Sequence, residues 1–180
     1  MSITAGPYSP GTMAKEADWN NANNAKASDG AYTSALLSSG ATSGQLIASN
    51  YTPDIPDVAV IKGILVEIEH YAGMASSIKD AGIYINAKAE NKANADYWPS
   101  ADDVYVSYGG ANDTWGETLT GVDVKASGFS VYVSVTNSAG FGIEAFIDHI
   151  RVTFYWSRRV GGPYRRTRGG FRSVREQRGP

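Results

Sequence analysis

Two histidines stand in this 180-residue chain, His70 and His149, and the second directly follows Asp148. With serines plentiful, a Ser-His-Asp set is the first chemistry to weigh. A triad needs each group positioned by the next. On an extended strand His149 points away from Asp148, and no Gly-x-Ser-x-Gly elbow occurs. No catalytic residue is therefore assigned. Asp148 is expected to accept backbone amides near a strand start, with His149 on the outer face or in a subunit contact. Glu67 and Glu69 share one strand face. Carboxylates side by side do not flank a sugar as glycoside hydrolysis requires; they read as a solvated face or as the acidic target of a neighbour's arginines. Asp96, Asp102, Asp103 and Asp113 cluster in sequence with the spacing of no EF-hand loop. A solvated loop and a calcium site are the two readings; no metal and no cofactor is assigned.

Aromatic residues offer a binding chemistry instead. Tyr97, Trp98, Tyr105, Tyr108 and Trp115 lie close in sequence. Exposed, Trp98, Tyr108 and Trp115 would stack on sugar rings; the other reading has Trp98 and Trp115 anchoring loops onto the fold.

The charge is sharply divided. Arg158, Arg159, Arg165, Arg166, Arg168, Arg172, Arg175 and Arg178 fall in the last 23 residues beside a single acid, Glu176, a net +7. Residues 1–157 carry seven lysines and Arg151 against seventeen acids, a net −9. Such asymmetry points to an arm that touches something outside its own domain. Arg168-Gly169-Gly170-Phe171-Arg172 has the chemistry to coat phosphates and stack on bases through Phe171, so nucleic acid is one partner for the arm. An acidic protein surface is the other, since arginine grips carboxylates in two-toothed fashion. Gly161-Gly162-Pro163 supplies a joint at its root.

The elements that must position these residues are strands. Charged residues are sparse at 19%, and 42% apolar content suffices for a core. Cysteine is absent, which excludes disulfides and thiolate zinc sites. Alternation predicts strands over 32–37, 45–48, 58–71, 78–86, 104–108, 129–136 and 145–156. In 129–136, Phe129, Val131, Val133 and Val135 face inward; in the last strand Ile150, Val152, Phe154 and Trp156 share a face. One helical turn is expected near 119–125. Pro7, Pro10 and Gly11 argue against regular structure in 1–17. The reading is an all-β, antiparallel β-sandwich, jelly-roll-like. Its expected parts are an extended N-terminal arm (1–17), a sandwich body (18–157) and a basic C-terminal arm (158–180). No secretory signal and no membrane span is expected.

The body also resembles a β-sandwich domain of structural proteins of tailed bacteriophage virions. The matching pieces include Trp19-Asn20-Asn21-Ala22-Asn23-Asn24-Ala25, Ser28-Asp29-Gly30-Ala31-Tyr32 and Ile61-Lys62-Gly63-Ile64-Leu65-Val66-Glu67-Ile68-Glu69. Others are Tyr97-Trp98-Pro99, Val106-Ser107-Tyr108-Gly109-Gly110, Asp113-Thr114-Trp115-Gly116 and Ile147-Asp148-His149-Ile150-Arg151-Val152-Thr153-Phe154-Tyr155-Trp156. The resemblance covers roughly residues 17–156. It implies a packing role in a virion, with host cytoplasm as the place of assembly, and no reaction. The basic arm departs from it. The expectation is a capsid decoration (cement) protein that binds the major capsid protein or other virion proteins, as a homo-oligomer with a trimer preferred. The alternative is a neck, tail or fibre component with a carbohydrate- or receptor-binding sandwich.

Overall fold

The computed structural model describes residues 2–86 and 90–158. The basic segment from Arg159 onward, with Arg159, Arg165, Arg166, Arg168, Phe171, Arg172, Arg175 and Arg178, lies outside them.

Ten strands, one short α-helix and a 3-10 turn at Ala22–Ala25 are the regular elements of the described chain. The strands and the α-helix are β1 (Ile3–Tyr8), β2 (Thr12–Lys15), β3 (Trp19–Asn20), β4 (Thr33–Leu37), β5 (Leu46–Ser49), β6 (Val60–Ala72), β7 (Ile78–Ile85), β8 (Val104–Gly110), α1 (Gly121–Lys125), β9 (Ser130–Asn137) and β10 (Ile143–Ser157). A six-stranded sheet runs β3-β4-β10-β6-β8, with β1 also paired to β10; a four-stranded sheet runs β2-β5-β9-β7. Every strand pairing is antiparallel. The two sheets enclose one core in which Trp19, Ile64, Ile68, Ile83, Ile147, Ile150 and Phe154 are fully buried. The antiparallel sandwich expected from the alternation is the fold observed.

The N-terminal segment corrects the expected boundary. The segment expected as an arm, 1–17, instead holds two strands of the body, β1 and β2, one in each sheet. β4 pairs with Ile143–Ile147 of β10, and β1 takes over the same edge from Val152 to Trp156. A register shift between Ala5 and Tyr8 lets the strand absorb Gly6-Pro7, which lacks the ladder donor.

Two bulges decide which way key acids point. β10 shifts register against β6 between Ile147 and His149. Strict alternation would put Ile147 and Ile150 on opposite faces; the extra residue puts both inward and leaves Asp148 unpaired at the kink. β7 shifts between Asp80 and Gly82. Asp80 thereby shares a side with the buried Ile83 and Ile85 and reaches the opening between the sheets.

The edge strands β8 and β7 lie on the same side of the sandwich, and two loops close it. Trp115 seats on Gly109, where φ is +75° and a Cβ would meet Ile64 O at 2.4 Å. Its Nε1 donates to Ile64 O at 3.0 Å. The expected helical turn is α1, where Asp123 accepts from Thr120 N and Oγ1 in a capping box.

Candidate functional site

The outer face of the six-stranded sheet gathers the polar chemistry. Because β10, β6 and β8 are neighbours, His149, Glu69 and Tyr105 form one row across the face. The next row carries Arg151, Glu67 and Ser107. His149 Nε2 lies 2.9 Å from Ser9 Oγ, and its Nδ1 lies 2.8 Å from Tyr105 OH. Burial lowers the His149 pKa, so the ring is neutral at pH 7. A serine thus does meet His149, but Asp148 does not: Asp148 accepts from Gly30 N at 3.1 Å and Asp29 N at 3.4 Å. The second ring nitrogen, where a triad needs its carboxylate, faces a phenol instead. The contact ties the β1–β2 corner to the sheet. The expected role of Asp148 as an acceptor for backbone amides is what the structure displays.

Glu67 is neither solvated nor waiting for a neighbour. Arg151, opposite it in register, donates through Nε at 2.9 Å and Nη2 at 3.0 Å. The same guanidinium sits 3.8 Å from the Tyr105 ring centroid. Its pKa is raised, chiefly by the hydrogen bonds to Glu67.

One step along the face, Glu69, Asp103 and Asp148 bring carboxylate oxygens within 4.8 Å of one another. Such a group could gather around a hard cation. The acid set read from sequence does not assemble: Asp103 joins this cluster, while Asp113 pairs with Lys92 at 2.9 Å and caps Trp115 N. Asp96 lines a separate cavity, and Asp102 is exposed. Burial raises the Asp148 pKa, with Glu69 and Asp103 adding to it. Glu69 Oε2 is buried with no hydrogen-bond partner among the described residues.

Beside these acids stand three half-buried rings. Tyr71 stacks on Phe146 with centroids 4.5 Å apart, and Tyr32 meets both edge-on at 5.1 and 6.0 Å. Tyr32 OH donates to Asp103 at 3.0 Å. Burial, then this bond, pushes the Tyr32 pKa up to about 12.

The second region is a cavity of about 140 Å³ between the edges of the two sheets, lined by His70, Asp80, Asp96, Trp98 and Tyr108 among others. The rings expected to stack on sugar are buried here and nearby: Trp98 is 3%, Tyr108 5% and Trp115 0% exposed. Their polar atoms explain why. Trp98 Nε1 and Tyr108 OH both donate to Asp80, at 2.8 and 2.9 Å. Desolvation raises the Asp80 pKa, while these bonds and Asn94 N draw it down. Trp98 stacks on His70, centroids 3.9 Å apart, so both rings have a face covered. The glycan-stacking expectation is overturned: loop anchoring is what these residues do.

His70 is given no role by the sequence, only a place on the face of Ile64, Val66 and Ile68. It is 1% exposed, and neither ring nitrogen has a hydrogen-bond partner among the described residues. Burial lowers its pKa to about 3. Its parity with Ile64, Val66 and Ile68 on β6 marks an inward position.

Of the basic arm, Arg158 alone is described, and it is exposed directly after β10. Ile3 lies opposite Trp156 in register, so both ends of the described chain leave from the same end of the sandwich.

No protein family matches the chain, and no curated protein does. Among solved structures, a family two carbohydrate esterase from Cellvibrio japonicus is similar at 12% identity and a TM-score of 0.35, over 87% of this chain and 35% of that one. The chain spans about a third of that protein's length. A likeness at this level carries no argument about activity. Among the described residues no helix is long and apolar enough to cross a membrane.

Proposed function

We propose that this chain is a structural protein of a tailed-phage virion, not an enzyme. In the more specific form of the proposal it decorates the capsid, forms a homo-oligomer, and grips the major capsid protein or another virion protein through its basic C-terminal arm.

The observation that carries this reading is the division of charge. A body of net −9 ends at an exposed Arg158 that begins a segment of net +7. The body's own polar groups are largely spent internally: Arg151 on Glu67, Asp148 on two amides, Asp80 on three donors. Across the chain the surplus of cations lies in the arm and the surplus of acids in the body. One exposed ion pair is worth only about 0–1 kcal/mol. Several arginines per arm, repeated over a symmetric assembly, add through effective concentration.

Replacing the eight arginines from Arg158 to Arg178 with glutamine tests the proposal without touching the sandwich. Co-sedimentation of the variant with undecorated particles should be lost, while its thermal unfolding stays that of the parent. Undiminished co-sedimentation would remove the arm from the account.

A further inference from the structure

On the outer face of the six-stranded sheet, one arrangement occurs twice and is filled once. In the filled copy, a guanidinium is held by a carboxylate and a ring together: Arg151 bonds Glu67 through two nitrogens and lies 3.8 Å from the Tyr105 centroid. In the second, the carboxylates Glu69, Asp103 and Asp148 border the rings of Tyr32, Tyr71 and Phe146. No described lysine or arginine pairs with any of those three acids. Lys26, whose backbone bridges to His149, makes no ion pair with a described residue either. The patch continues onto β4: register puts Leu36, 65% exposed, opposite exposed Glu144, on the same side as Phe146 and Tyr71.

We infer that this face receives the arginine-rich segment 164–172 of a second copy of the chain. The segment brings what the patch lacks. Arg165, Arg166, Arg168 and Arg172 match the carboxylates, and Tyr164 and Phe171 match the rings. Arginine suits such a surface because its planar head bonds a carboxylate edge-on while stacking on an aromatic face. By length alone the arm could also reach these acids on its own sheet. Asp148 lies ten residues before Arg158 on β10, roughly 33 Å at about 3.3 Å per residue. Segment 164–172 begins six residues beyond Arg158 and so extends to the same order of length. Folding back onto its own sheet would carry the arm past Arg151, whose cation already occupies that side of the face. An arm from a second copy approaches the patch from its open end, past Leu36 and Glu144. Exchange between two copies in this way makes one self-complementary contact.

This inference rests on the arm reading above only in that the arm leaves its own sandwich. The absence of cysteine makes the test direct. A nitroxide on Ser173→Cys, in copies without isotope, is mixed with nitrogen-15-labelled full-length copies. The labelled copies should lose amide intensity at Tyr32, Tyr71 and Phe146. Intensity should return in about 1 M salt, where the screening length is about 3 Å, and when the labelled copy carries Glu69→Gln with Asp103→Asn. Broadening elsewhere, none at all, or broadening only when nitroxide and isotope share a chain would overturn the inference. The two proposals fail separately. Loss of particle binding in the arginine-to-glutamine protein without this broadening sinks only the docking site. Broadening at the patch, with particle binding indifferent to the arm, sinks only the virion role of the arm.

Discussion

Lowering the pH should destabilise this protein through His70, by an amount the structure sets. The folded chain holds His70 neutral down to about pH 3, because its ring is buried against Trp98. The unfolded chain takes up that proton near the ordinary value of 6.5. Between those values the unfolded state binds more protons, so stability rises with pH and is lost as pH falls through the window. From pH 8 to pH 5 the loss from His70 alone is about 2 kcal/mol, the free energy of protonating a pKa-6.5 group in the unfolded state only. His149, also lowered by burial, acts in the same direction. Asp80 and Asp148, whose pKa values are raised, act in the opposite one near the acid end. Comparing the parent with His70→Phe cancels the contributions the two share. Urea unfolding at pH 8, 6.5 and 5 should show the parent losing about 2 kcal/mol more than the variant across that range. A parent and variant with the same pH slope, or a His70 ring that titrates by NMR near 6.5 in the folded state, would refute the reasoning.

Other consequences are local. Asp148→Ala should cost about 2–3 kcal/mol in chemical denaturation, since it leaves the amides of Asp29 and Gly30 without their acceptor. Asp148→Asn keeps an acceptor and relieves the crowding with Glu69 and Asp103, so it should cost clearly less. Gly109→Ala should be among the most damaging small substitutions, about 3 kcal/mol or more. Its φ is positive, and an added Cβ would come within 2.5 Å of Trp115 Nε1. Fluorescence of the displaced Trp115 and a lowered Tm would report it.

Strand positions were legible wherever one face is buried and the chain alternates, as in Val131, Val133 and Val135 of β9. β1 and β2 escaped because their signal is not local. Their residues are mostly exposed, prolines interrupt them, and they are strands because β10 and β5 offer partner edges. The β10 bulge had a trace in the sequence, the switch of apolar parity between Ile147 and Ile150, but an unbroken strand reading passes over it. The site was less legible. Asp148 binding amides followed from its place near a strand start, whereas Ser9 meeting His149 depends on a contact 140 residues apart. Trp98, Trp115 and Tyr108 sit among glycines and aspartates, which suggests exposure. Each is buried because its one polar atom finds an acceptor inside, Asp80 or Ile64 O.

The most direct measurement of the central claim is a particle reconstruction at a resolution that separates strands. The account predicts a two-sheet sandwich on the outer surface of the shell, repeated with the lattice, with density running from Ser157 and Arg158 into an acidic surface of a neighbouring protein. A particle that lacks this sandwich, or that carries it only at the tip of a fibre with the arm against no protein, would contradict it.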